Sequence, residues 1–215
     1  LSESMRTGQI SSLSRSNAVA FRVRFAGERP ESSEMYWRGP VLDKTDGLNW
    51  TRAEEKGRMH WPHEAVRNRA RPVSYTVTLE PTQQDWLFAL ELPGKVPERA
   101  TFTTRGELKA KRKIRERMQY EATSYLSFDY PALRRANLLR AAQLPVGYHP
   151  RARRLAAEWA ANGRSPDQIV ALALQYFREQ PFTYTLQPSL LAGDPIDEFL
   201  FLTRRGFCEH FASAF

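Results

Sequence analysis

Ser165-Pro166-Asp167-Gln168-Ile169-Val170-Ala171-Leu172-Ala173-Leu174-Gln175-Tyr176-Phe177 is the stretch whose reading decides the class of fold. Ile169, Val170, Ala173, Leu174, Tyr176 and Phe177 recur at three- and four-residue intervals, the spacing of one helical face. Ser165 supplies an N-cap, Pro166 suits the first helical position and Gln168 completes a capping box. Gln180-Pro181 ends the run. The segment before it reads the same way. Pro150 to Ala161 sets Ala152, Leu155, Ala156, Trp159 and Ala160 on one face, and Asn162-Gly163 follows as a C-cap.

Working back toward the N-terminus, the period falls from about 3.6 to 2. Val19, Phe21, Val23 and Phe25 alternate with Ala20, Arg22 and Arg24, the pattern of a half-buried strand. Met35 to Leu42 is a second strand candidate, and Asp46-Gly47 offers hairpin-turn chemistry before Leu48-Asn49-Trp50. Alternation resumes at Val73, Tyr75, Val77 and Leu79, and Trp86 to Leu92 is a further strand bounded by Pro93-Gly94. Residues 100–126 read as strands because they follow a series of strands and hairpins. The expectation is an α+β chain. An exposed, Ser-rich arm spans 1–16, and a β-rich, sandwich- or barrel-like domain spans 17–130. A connecting segment over 131–149, punctuated by Pro131, Pro145 and Gly147, leads to a helical part over 150–215.

Composition narrows the function classes. With 41% hydrophobic and 26% charged residues, the 215-residue chain has the make-up of a folded protein rather than a disordered one. Its apolar runs are far shorter than the roughly 20 residues of a membrane span. The first 16 residues lack the apolar stretch of a secretory signal, so any exporting or anchoring element is expected outside them. The single cysteine, Cys208, rules out an internal disulfide and a zinc cluster of several thiolates. A net charge of +8 favours anionic partners. Lys109, Lys111, Arg112, Lys113, Arg115 and Arg117 form a basic run with no interleaved aromatics for stacking bases, so nucleic acid is not expected. A solvated face is the plain reading of this run, and contact with an anionic lipid or envelope polymer is the other.

Cys208 is the residue with the clearest chemistry. It follows Gly206-Phe207 and precedes Phe211, Ala212 and Phe215 at helical spacing, which places the thiol at a helix N-terminus. Unpaired backbone N–H groups there favour a thiolate. On position alone, a nucleophile and a small buried core residue both remain open. His210 is two residues on, so a helix turns it roughly 200° away from Cys208. His60 and His63 flank Trp61-Pro62, which forbids a regular helical ligand pair, and His149 is expected to be exposed. No metal or cofactor is expected. Trp37, Trp50, Trp61 and Trp86 read as core residues or as a ligand platform.

Gly206-Phe207-Cys208-Glu209-His210-Phe211-Ala212-Ser213-Ala214-Phe215 resembles the nucleophile segment of the transglutaminase-like superfamily. Ser14-Arg15-Ser16 with Val19-Ala20-Phe21-Arg22-Val23, Tyr36-Trp37-Arg38-Gly39 and Asp46-Gly47-Leu48-Asn49-Trp50 are similar to the β-domain preceding the catalytic core in TgpA-like, membrane-anchored periplasmic transglutaminases of Gram-negative bacteria. The resemblance implies a papain-like core that begins near residue 150 and is cut after its nucleophile helix. It implies Cys208 as nucleophile and the Cys208 backbone N–H as oxyanion donor. Tyr184, shortly before the cysteine segment, reads as a residue lining the acyl-donor groove, as a contributor to an oxyanion site, or as a plain packing residue. The implied reaction is acyl transfer from a glutamine carboxamide of a protein or peptide to an amine, without cofactor or metal, in the periplasmic part of an inner-membrane protein. Members of the superfamily pair the cysteine with a His and an Asp further along the chain. The sequence ends seven residues after Cys208, so residues 1–215 are expected to be inactive alone. A protease or amidase on the same core, and a non-catalytic envelope-binding module, are the alternatives.

Overall fold

Alternating and helical periods each build their own part of the molecule. A computed structural model describes residues 3–7, 18–54, 72–95, 97–126, 139 and 141–215. In chain order the strands are β1 (Ser4–Arg6), β2 (Phe21–Phe25), β3 (Trp37–Arg38), β4 (Lys44–Thr45), β5 (Asn49–Thr51), β6 (Pro72–Leu79) and β7 (Trp86–Leu87). They continue with β8 (Ala89–Leu90), β9 (Leu92–Lys95), β10 (Ala100–Phe102), β11 (Leu108–Ala110), β12 (Met118–Tyr125), β13 (Thr183–Tyr184) and β14 (Arg205–Gly206). The helices are α1 (Pro150–Ala160), α2 (Pro166–Glu179), α3 (Pro195–Glu198) and α4 (Cys208–Ala214). The architecture is therefore mixed α and β. The chain divides into two units: Asn17–Val41 with Ala53–Ala141, and Ser2–Ser16 with Leu42–Arg52 and Ala142–Phe215.

The first unit is built on an antiparallel sheet of order β2-β6-β12-β9. Its pleat follows the sequence pattern. Tyr75, Val77 and Leu79 of β6 and Tyr120, Ala122 and Ser124 of β12 are buried, while the residues between them are not. Residues 86–90 are buried without alternation, because β7 pairs with β11 and β8 with β3 while both faces of the segment are covered. Phe88 lies between the two strands, and its backbone groups are satisfied by one side chain. The Tyr120 hydroxyl accepts from the Phe88 N–H and donates to the Phe88 carbonyl, both at 2.8 Å. The Tyr75 hydroxyl accepts from the Leu90 N–H at 2.8 Å and bonds Ser124 Oγ at 2.7 Å. Burial raises both phenols above their ordinary value. Of the strand expected over Met35 to Leu42, only Trp37–Arg38 pairs, since Pro40 has no N–H to continue the ladder. Trp86 is fully buried, and Trp37 packs against the core, its ring 5.5 Å from that of Tyr75. Trp61, His60 and His63 lie outside the described residues.

The second unit gathers segments that are distant in sequence. Within the stretch expected as an exposed arm, Ser4–Arg6 forms a strand in a sheet of order β1-β5-β4. Glu3, Ser4 and Arg6 are exposed, Met5 is half-buried and Thr7 is buried. The Asp46-Gly47 turn closes the β4–β5 hairpin. The Asp46 carboxylate accepts from the Leu48 and Asn49 N–H groups and from the Asn49 side-chain amide, and these bonds, the side-chain one foremost, pull its pKa down to about 2. Gly47 has φ +98°, and a Cβ there would sit 2.5 Å from the Tyr148 ring. These contacts hold residues 42–52 in the second unit, which a single break within 131–149 does not describe.

The α2 capping box forms as its sequence predicts: Ser165 Oγ accepts from the Gln168 N–H, and Gln168 Oε1 accepts from the Ser165 N–H. Asn162 and Gly163 adopt positive φ after α1. The N-terminus of α1 is capped from a distance, since the Asp197 carboxylate accepts from the Arg151 and Ala152 N–H groups, each at 2.9 Å. Ile196, Phe199 and Leu200 form a buried cluster against which Tyr176, Phe177, Phe182 and Phe211 pack. Val170 and Leu174, part of the expected apolar stripe, remain exposed.

Candidate functional site

Cys208 is the first residue of α4, and it is exposed. As the first helical residue its N–H has no partner within the helix. Two constraints fix the backbone that leads into it. The first is a short parallel pair, β13 with β14, in which the Thr183 N–H donates to the Arg204 carbonyl and the Thr185 N–H to the Gly206 carbonyl, both at 2.8 Å. Arg204 turns the chain into this pair with φ +50°, at the end of a five-residue π-helical turn over Phe199–Thr203. The second is His210, whose ring is completely buried. The Phe207 N–H donates to His210 Nδ1 at 3.4 Å, and the His210 N–H donates to the Phe207 carbonyl at 2.9 Å. An accepting Nδ1 requires the neutral ring with its proton on Nε2. That Nε2 is buried with no hydrogen-bond partner among the described residues. Burial lowers the ring's pKa below 6.5.

The adjoining face of α4 is anchored by aromatic rings. Phe211 lies 5.0 Å from Phe199, 5.5 Å from Phe177 and 5.8 Å from Phe182. Tyr184, 63% exposed, stacks over Phe211 at 6.1 Å. The structure therefore brings Tyr184 beside the segment that carries Cys208. Near the end of the helix, Ser213 Oγ accepts from the Thr7 hydroxyl at 2.8 Å. Thr7 in turn donates its N–H to the Leu48 carbonyl.

The described histidines are engaged by groups other than the thiol. His210 faces Phe199 and Phe207, at ring distances of 5.5 and 4.7 Å. His149 is buried rather than exposed, in a left-handed conformation with φ 55°. Its Nδ1 and its N–H contact the two oxygens of Asp194, each at 2.7 Å. Burial alone would raise the Asp194 carboxyl, but hydrogen bonds from the Asp197 N–H and from the ring and N–H of His149 outweigh it and hold it below its ordinary value. This clip ties the start of α1 to the start of α3 and was not legible in sequence, because its partners are 45 residues apart. Among the described residues, no group of three or more His, Cys, Asp or Glu side chains is placed to hold a metal, and no helix is long and apolar enough to cross a membrane.

Comparison with known proteins places this geometry in a family. The TgpA N-terminal domain family matches residues 1–129. The chain is 36% identical over 222 aligned residues to the protein-glutamine gamma-glutamyltransferase of Pseudomonas aeruginosa, covering all of this chain and 32% of that protein. It thus spans about a third of the length of the curated relative it matches. Two crystal structures of the periplasmic domain of TgpA from Pseudomonas aeruginosa superpose with a TM-score of 0.89. One, bound to ethylmercury, is 36% identical with 76% of its chain covered, and the other is 35% identical with 74% covered; each covers the whole of this chain. By these matches the chain belongs to the TgpA family, with the TgpA N-terminal domain over its first 129 residues.

Proposed function

We propose that this chain carries the nucleophile of a protein-glutamine γ-glutamyltransferase and that Cys208 is that nucleophile. The observation that supports it most is the placement of the chain's single thiol: exposed, on the first residue of a helix whose lead-in is held by the β13–β14 pair and by His210. In this reading the Cys208 thiolate attacks the carboxamide carbon of a glutamine side chain. The C–N bond breaks, ammonia leaves with the proton it gains, and a thioester remains. An amine then attacks the thioester carbon, expelling the thiolate and forming the new amide, and the proton it loses returns to the general base that had protonated the departing ammonia. The Cys208 N–H, without an intrahelical acceptor, is the donor for the developing oxyanion. Tyr184 lines the approach to the thiol. Among the described residues His149 and His210 are both held by other partners, so neither is assigned as the general base in this reading.

The second unit is read as the first half of a papain-like core, the first as a β-sandwich-like module, and the setting as the periplasmic part of a membrane-anchored protein. The test is amine incorporation into a glutamine substrate by the longer periplasmic domain, with and without Cys208→Ala. Loss of incorporation in a variant with an unchanged fold is expected. Undiminished incorporation removes Cys208 from the reaction.

A further inference from the structure

In the first unit the loop between β11 and β12 runs along a groove with a cavity volume of about 790 Å³, lined by Arg99 and residues 110–118. We propose that this groove binds a linear polyanion whose repeating charge is phosphate. Ile114 fixes the loop. Its side chain is buried, its N–H donates to the Gln84 carbonyl at 2.7 Å, and its carbonyl accepts from the Thr82 and Gln83 N–H groups at 3.2 and 3.0 Å. The residues on either side are thereby presented to solvent on a backbone that is already ordered. Lys111, Arg112, Lys113 and Arg115 are exposed, as is Arg99, and none of the five is paired with an acid among the described residues. Their neighbours differ. Arg117 is paired with Glu80 at 3.0 Å, and Lys109 is paired with Asp85 at 3.1 Å and lies 4.4 Å over the Trp86 ring. Glu116 is the one acid in the lining.

The lining decides the class of occupant. No aromatic side chain faces the groove, so bases have nothing to stack on. Its apolar residues are Ala110, Met118 and the buried Ile114, so a membrane has no wedge to receive and a peptide has no side-chain pocket. The cations follow one another along a single loop, an arrangement that suits a thread-like polymer better than a flat bilayer. Three guanidinium groups, on Arg99, Arg112 and Arg115, offer the paired donors that match a phosphate; a carboxylate fits the same fork, and the poly-glutamate arm of the test separates the two.

The test uses the full chain and linear inorganic polyphosphate as the probe, followed by fluorescence anisotropy between about 50 and 200 mM salt. Binding that weakens with salt is expected. Replacing Lys111, Arg112, Lys113 and Arg115 together by Gln should weaken it about tenfold or more and reduce the salt slope by about three, since each cation on a single-stranded polyanion contributes about 0.7. Replacing Arg24, Arg29, Arg154 and Arg178 by Gln removes the same charge from exposed positions elsewhere and should leave affinity within about threefold. Equal loss in both variants overturns the proposal, because net charge alone then explains binding. Binding to poly-glutamate, or to phosphatidylglycerol-containing vesicles, that matches or exceeds polyphosphate also overturns it.

Discussion

The His210 ring occupies the space that a side chain on Gly206 would need: a Cβ built there lies 2.6 Å from His210 Cγ, 2.7 Å from His210 Cβ and 3.0 Å from Phe199 Cε2. His210 and Phe199 are both fully buried, so neither ring has room to retreat. The glycine two residues before Cys208 is therefore required by packing.

Gly206→Ala should cost about 1–3 kcal/mol of stability. Gly27→Ala, where nothing lies within 4 Å, should be close to neutral. Urea titrations of the two variants check this. Equal stability of both would show that the ring moves freely.

Tyr120→Phe removes a single oxygen and leaves the Phe88 N–H and carbonyl, both buried, without partners. Each such group costs about 1–3 kcal/mol. Tyr36→Phe, at a residue 55% exposed, should change stability by no more than about 0.5 kcal/mol. Thermal melts of both variants, compared with the parent, give the answer.

These two sites separate what the sequence could show from what it could not. The alternation that buries Tyr75 and Val77, the Ser165 box that starts α2 and the position of Cys208 at a helix start are all local patterns, and each is read from adjacent residues. The role of Tyr120 is not local, because its partner is 32 residues away and the segment it serves is buried on both faces. The same holds for β13 and β14. Two residues carry no period, and the pairing of Thr183 with Arg205 exists only once the chain between them has folded. Val170 and Leu174 fit a helical stripe as well as Ala173 does, and periodicity does not say which edge of a stripe is covered.

Asp197→Ala should destabilise α1 by about 1–2 kcal/mol, because it strips the acceptor from the Arg151 and Ala152 N–H groups. Asp197→Asn keeps one acceptor oxygen and should lose less. Hydrogen exchange at Arg151 and Ala152 should rise in the alanine variant. Unchanged protection there would count against the cap.

Protonation of His210 should loosen the segment leading to Cys208. The folded-state pKa lies below 6.5, so the neutral ring's contribution is fully present above 6.5 and is lost as pH falls through the folded value. Denaturant midpoints should therefore fall more between about pH 8 and pH 5 for the parent than for His210→Gln. Parallel profiles would contradict this.

Ethylmercury should add once per chain, at Cys208, because it is the chain's one thiol and is exposed. Mass spectrometry should find no adduct on Cys208→Ser. In the same preparation residues 1–215 should show no amine incorporation. Turnover by this chain would place a base for Cys208 within it.

Because Thr7 bonds both Leu48 and Ser213, the unit that carries the thiol is stitched from three separate stretches of chain. On the ribosome, the first of them emerges long before its partner on α4 exists, because Thr7 and Ser213 are 206 positions apart. A gene cut at residue 142 would code for helices α1 to α4 without the strands that pair beside them. Recombination by simple end-to-end exchange therefore cannot move this cysteine module into another protein intact.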